Sequence, residues 1–175
     1  MKVNDSKTNN SSEFNNIIWK NDAITHNFYV FKDPLTKKFN AMGGLFAASC
    51  KCCGNGVHLL ESNDGITWEL KDQLLDKSIS EKQGYGTMFD SLNTITWDEL
   101  REEFRIFMRF NFARGVRCIQ TSNNTNLNFK KNKWPKCQLL KFRGEKAGFF
   151  YMPIIFNLEN SGYFLGFPAC QSKDK

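Results

Sequence analysis

A chain of 175 residues with 41% hydrophobic and 24% charged residues is long enough to bury a core and too apolar to be read as disordered throughout. Net charge is +6, a moderate excess. No apolar run approaches the roughly 20 residues that cross a bilayer, so no membrane partner is expected. The polar stretch 1–16 lacks the apolar centre of a secretory leader and reads as a disordered lead-in, which makes an intracellular location the default expectation.

Aromatic residues reach 14%, with 17 Phe, and favour strands over a helical bundle. In chain order, Phe28 to Gly44 reads as an apolar strand, a turn at Asp33-Pro34 and a second apolar strand. Gly56 to Trp68 follows as an alternating strand, a Ser-Asn-Asp-Gly turn and an aromatic, running on to Leu74-Leu75. The same plan then recurs. Asn93 to Phe110 gives strand, turn at Asp98 to Glu103, and strand; Gly115 to Asn124 matches Gly56 to Trp68 and runs on to Leu139-Leu140. A third copy opens over 153–167, turning at Glu159 to Gly162.

Phe39 and Phe104 are 65 positions apart, Phe104 and Tyr163 are 59, and Gly56 and Gly115 are 59. A period of this length holding about four short strands is one β-propeller blade. Residues Trp97 to Arg109 contain good helix formers, but a helix there does not fit the repeat partner with its Pro34 and two glycines. The fold class expected is therefore all-β, a propeller of which about two and a half four-stranded antiparallel blades are present. The units run over about 24–80, 88–142 and 148–170 within a partial propeller at 17–170, with a polar tail at 171–175. Radial closure needs at least about four blades, so a second chain, a homo-oligomer or a truncated gene remnant is expected.

Six cysteines include the cluster Cys50, Cys52 and Cys53, but no second separated pair accompanies it. Free thiols are expected, with no metal and no cofactor. The basic run Lys130 to Lys146 reads as a solvated inter-blade loop ahead of a polyanion site, because no aromatic stacking platform accompanies it. Nucleic acid is not the expected partner.

In a propeller, sites form from residues just before the innermost strands. This selects Thr25, His26 and Asn27 in the first unit, Asp90, Ser91 and Asn93 in the second, and 148–152 with Tyr151 in the third. Glycosidic cleavage needs two carboxyl groups across the bond. Asp90 is the candidate acid, alongside the plainer reading that it closes a loop. Glu145 is a weaker second candidate, in a glycine-flanked basic loop. Asp33, Asp98 and Glu159 fall at the far end of the inner strands, and Asp64 in a structural turn. Arg109, Arg114 and Arg117 follow Asp90 on the next strands, where one can clamp a carboxylate or sugar hydroxyls. His26, Asn27, Asn93, Arg109, Arg117 and Tyr151 complete the candidate substrate contacts.

His26 to Phe28 with Asp33-Pro34, Leu60 to Trp68, Phe89 to Asn93, Arg114 to Arg117, Thr121-Ser122 and Tyr163 to Pro168 stand in an order that resembles a known family. It is the five-bladed propeller glycoside hydrolases of the invertase, arabinanase and levansucrase superfamily. The resemblance implies a funnel-shaped sugar site with acids on the inner strands, Asp90 matching the acid of the second unit. The family pattern also places a Glu-His pair before the third inner strand, where this sequence has Gly148 to Tyr151. Carbohydrate is thus the expected ligand, and binding is placed ahead of hydrolysis. A structural or interaction scaffold built from the same blades is the alternative.

Overall fold

The structure, a computed structural model, describes residues 17–20, 24, 27–44, 56–76, 79, 89–90, 92–113, 116–127, 134–141, 148–151, 155–158 and 161–171. Twelve strands are formed among them. The first sheet is a meander of β1 (Tyr29–Lys32), β2 (Phe39–Gly43), β3 (Val57–Ser62) and β4 (Glu69–Leu75). The second repeats it with β5 (Thr94–Asp98), β6 (Glu103–Ala113), β7 (Val116–Asn124) and β8 (Gln138–Leu139). In both sheets each strand pairs antiparallel with the next. Residues 97–109, read as strand, turn and strand against a helical alternative, are the end of β5, a turn and most of β6.

The third unit is a broken hairpin. Its ascending arm is β9 (Gly148–Tyr151) and β10 (Ile155–Leu158), and its returning arm is β11 (Tyr163–Gly166) and β12 (Ala169–Gln171). β10 pairs with β11, and β9 with β12. Pro168 falls in the interruption of the returning arm, where a residue without an N–H breaks the ladder. Gly148 to Tyr151, expected as the lead-in to an inner strand, is thus itself a strand.

The turns that follow β1, β5 and β10 use one principle. At the end of β1, Asp33 accepts from the Leu35 amide at 2.8 Å and from the Thr36 hydroxyl at 2.9 Å. At the end of β5, Asp98 accepts from the Arg101 amide at 3.2 Å and pairs with its guanidinium at 2.8 Å. Both carboxylates are buried and replace backbone bonds that the turn leaves unmade. At the end of β10 the Ser161 hydroxyl does the same, donating to the Leu158 carbonyl at 2.6 Å and accepting from the Tyr163 amide. Gly162 follows with φ of 70°, and a Cβ there would lie 2.8 Å from Leu100. The third turn therefore sits directly on the second, and Arg101 donates to the Gly162 carbonyl at 3.3 Å.

Alternation along the strands sorts the side chains into layers. Phe104, Ile106, Met108 and Phe110 of β6 face the first sheet and pack with Met42, Val57, Leu59, Leu74 and Leu75. Trp97 meets Phe104 edge-on, with ring centroids 4.8 Å apart. The other face of the first sheet is covered from within: Ile24, Ala41, Leu60 and Trp68 form a second cluster, with Trp19 and Phe28 against it. The Gly43 backbone and the Ile24 carbonyl approach so closely that a Cβ at Gly43 would lie 2.3 Å from that oxygen. The third hairpin has the opposite character. Leu158, Tyr163, Leu165 and Phe167 are all exposed, Tyr163 at 72%.

Candidate functional site

The inner strands β1 and β5 begin at one end of their sheets, and the residues before them meet there. Asn27, at φ of 58°, donates from Nδ2 to the Phe89 carbonyl at 3.1 Å. Asn93 donates from its own Nδ2 to that same carbonyl at 2.9 Å. Phe89 adopts φ of 60°, and its ring is fully buried in the core between the sheets. A non-glycine residue in the left-handed region is uncommon, and here two amides and a buried ring over-determine it. The chain reverses at Phe89 and delivers Asp90 to the end of the second sheet.

Asp90 is held from β6. Its Oδ2 accepts from an Arg109 terminal nitrogen at 2.9 Å, with the Arg109 side chain 7% exposed and that of Asp90 34% exposed. Arg109 is opposite Ile119 in the β6–β7 ladder, and Asn111 is opposite Arg117, which puts Arg109 and Arg117 on one face as diagonal neighbours. Burial pulls the Arg109 guanidinium below its usual range and the Arg117 charge adds to this, while Asp90 opposes both. The guanidinium nevertheless stays charged, given its high starting value. Asp90 supplies the compensating charge for a buried cation and keeps a third of its own side chain open to solute.

Of the residues selected from sequence, Asn27, Asn93, Asp90 and Arg109 come together around Phe89 and the start of β5, with Arg117 exposed on the neighbouring strand. The arginine expected to clamp a carboxylate clamps Asp90 itself. His26 and Glu145 lie outside the described residues, as do Thr25, Ser91, Arg114, the Cys50, Cys52 and Cys53 cluster and most of the basic run. Tyr151 closes β9. Neither Cys118 nor Cys137 is in a disulfide. The hub of the site, the Phe89 carbonyl, was not foreseen, since a backbone acceptor carries no side-chain signature.

The remaining described carboxylates are placed elsewhere. Asp33 and Asp98 terminate the inner strands at the end opposite Asn27 and Asp90, about 13–17 Å away for strands of four and five residues. That is beyond the roughly 5–9.5 Å that separates the two acids of a glycosidase. Asp64 shares their end, where Oδ1 accepts from the Ile66 and Thr67 amides at 2.8 and 2.7 Å. These two bonds, with a third from the Ser62 hydroxyl, hold its carboxyl at about 2. Asp76 follows β4, three strands out from the inner one. The arrangement among the described residues thus offers one anchored carboxylate beside a second, exposed cation. That combination accepts and donates hydrogen bonds to a hydroxyl-rich solute.

Consecutive four-stranded meanders stacked face to face, with their inner strands beginning at one end, define a β-propeller. The chain has the fold of the five-bladed propeller glycoside hydrolases and builds about two and a half blades of it. Among solved structures it is similar to a candidate exo-β-1,3-galactanase from Bifidobacterium bifidum s17, with a TM-score of 0.61 at 14% identity over 83% of this chain and 45% of that one. It is also similar to an exo-β-1,3-galactanase from Clostridium thermocellum, with a TM-score of 0.59 at 13% identity over 82% of this chain and 32% of that one. The chain therefore spans less than half the length of these enzymes. No family model matches the sequence, and no curated protein matches it.

Proposed function

We propose that this chain forms part of the carbohydrate-binding mouth of a glycoside-hydrolase-type propeller, in which it binds sugar rather than cleaving it. The supporting observation is the Asp90–Arg109 pair standing where the two lead-ins are joined through Phe89. Asp90 accepts hydrogen bonds from sugar hydroxyls, and Arg117 contributes an exposed donor. Hydrolysis requires a second acid, and none of the other described carboxylates stands at the inner end with Asp90. Because the neighbouring solved structures are galactanases, β-1,3-linked galactose oligosaccharides are the first ligands to try. The exposed apolar face of Leu158, Tyr163, Leu165 and Phe167 is a surface on which further polypeptide packs.

Calorimetric titration of the purified chain with β-1,3-galactotriose tests this reading, run beside chromatography of the sugar for cleavage products. Saturable binding without products is expected. Asp90→Asn should weaken it about tenfold, the effect of losing one charge-assisted hydrogen bond, with the circular dichroism spectrum unchanged. Binding that ignores Asp90→Asn would remove Asp90 from the site, and release of galactose would replace binding with catalysis.

A further inference from the structure

The two complete sheets leave a pocket between their inner strands, at the end opposite Asp90. Alternation along β1 turns Tyr29 and Phe31 toward the second sheet, and alternation along β5 turns Trp97 toward the first. All three side chains are half-buried. Phe31 and Trp97 do not stack on each other. Each instead meets the Phe104 ring of β6 steeply, at 67°, with centroids 6.4 and 4.8 Å from it. Tyr29 lies nearly parallel to Phe31, at 22° and 6.4 Å, and extends that wall along the strand. A space of about 280 Å³ remains between the walls, with Pro34 and Glu99 at its rim, each just past the end of an inner strand.

The charge of this pocket is negative. Glu99 is exposed and forms no ion pair or side-chain hydrogen bond among the described residues. The nearest candidate counter-ions are engaged elsewhere. Lys32 lines the pocket too, but it stands opposite Phe39 in the β1–β2 ladder and sets its ammonium 5.8 Å over that ring, on the other face of the sheet. Arg101 is held by Asp98 at 2.8 Å and by the Gly162 carbonyl at 3.3 Å. Burial pushes the Tyr29 phenol up, so that ring stays neutral and presents an ordinary π face.

These features select the occupant. An anion is repelled by Glu99, and a neutral apolar group would cover that carboxylate without pairing it. A sugar ring needs hydrogen bonds around its circumference, and these walls are mostly ring carbon. Small-molecule sites usually enclose about 300–1,000 Å³, so this one takes a compact group. A cation carrying apolar substituents meets each condition, because aromatic faces attract positive charge while their carbon accepts methyl groups. We propose that Tyr29, Phe31 and Trp97, with Glu99 at the rim, form a cage for the quaternary ammonium group of a small molecule. The site is separate from the sugar-binding mouth and does not depend on it.

The test uses the whole chain, isotopically labelled, titrated by NMR with choline and with tetramethylammonium. Saturable shifts at Tyr29, Phe31 and the Trp97 indole are expected from both. The neutral isostere 3,3-dimethylbutan-1-ol should bind about tenfold more weakly than choline, since it keeps the shape and loses the charge. Glu99→Gln, a change at an exposed turn residue, should weaken choline about threefold. Phe31→Leu, which keeps apolar volume but removes a π face, should weaken it about fivefold. Equal affinity for choline and its isostere would overturn the proposal, as would choline binding unaffected by Glu99→Gln. A capped peptide with a central trimethyl-lysine that bound more than tenfold tighter than choline would overturn the assignment to a small molecule. Galactotriose should leave the choline shifts in place, because the two sites lie at opposite ends of the inner strands; displacement of choline by the sugar would refute a separate cage.

Discussion

Neutralising Asp90 tests structure and function in one experiment. Asp90→Asn keeps the shape of the side chain but leaves Arg109 as a cation with a side chain only 7% exposed and Arg117 as its like-charged neighbour. Breaking a fully buried ion pair costs about 3–5 kcal/mol, and losing an exposed one about 0–1 kcal/mol. Asp90 lies between these limits, with 34% of its side chain exposed, so solvent screening reduces the penalty to about 1.5–2 kcal/mol. For a chain of this length that corresponds to a fall in Tm of roughly 3–8 °C. The double variant Asp90→Asn, Arg109→Met removes the stranded charge and should recover most of the loss, because a buried pair replaced by apolar groups is close to neutral. Urea unfolding of wild type, both single variants and the double variant supplies the full cycle. Additive losses in the double variant would show that the two side chains do not act as a pair, and the account of the site would fail with them.

Phe104→Ala should cost about 3–5 kcal/mol in a urea melt, since the ring is 1% exposed and contacts Trp97 and Phe31 between the sheets; a loss under 1 kcal/mol would mean that the two sheets do not share this core. Asp64 titrates lower in the folded chain, at about 2, than its ordinary 3.8. Its contribution is complete above about pH 4 and is lost as pH falls toward 2. Asp64→Asn, which keeps an acceptor oxygen, should flatten the stability profile in that window, and an unchanged profile would assign the acid sensitivity to other carboxylates.

The hairpins were legible because their turns are built from side chains that advertise themselves. Asp33, Asp98 and the Ser62 to Gly65 stretch each replace backbone bonds with a short polar side chain, and such residues are visible in a sequence. The meeting of Asn27, Asp90 and Asn93 was legible for a related reason: a repeat fixes which residues precede each inner strand. The Phe89 hub was not, since it depends on a positive φ and a carbonyl. β9 was also missed. Gly148 to Tyr151 carries no alternation, and its pairing with β12 connects it to residues beyond the turn that ended the sequence repeat.

The cap on the outer face of the first sheet gives the molecule a gradient. β2 and β3 have apolar neighbours on both sides, Ala41 and Leu60 against the Trp68 cluster, Met42 and Leu59 against the second sheet. Their amides open only when two separate layers come apart. At the other end, β11 is sealed on one side by Phe107 and bare on the other. Local opening free energy should then fall steadily from the first sheet to the third hairpin. Exchange with deuterated solvent would write that order along the chain, slow at Ala41 and Leu60 and quick at Leu165. The chain is most rigid where its own residues cover both faces of a sheet and most pliant where one face of the third hairpin is left bare.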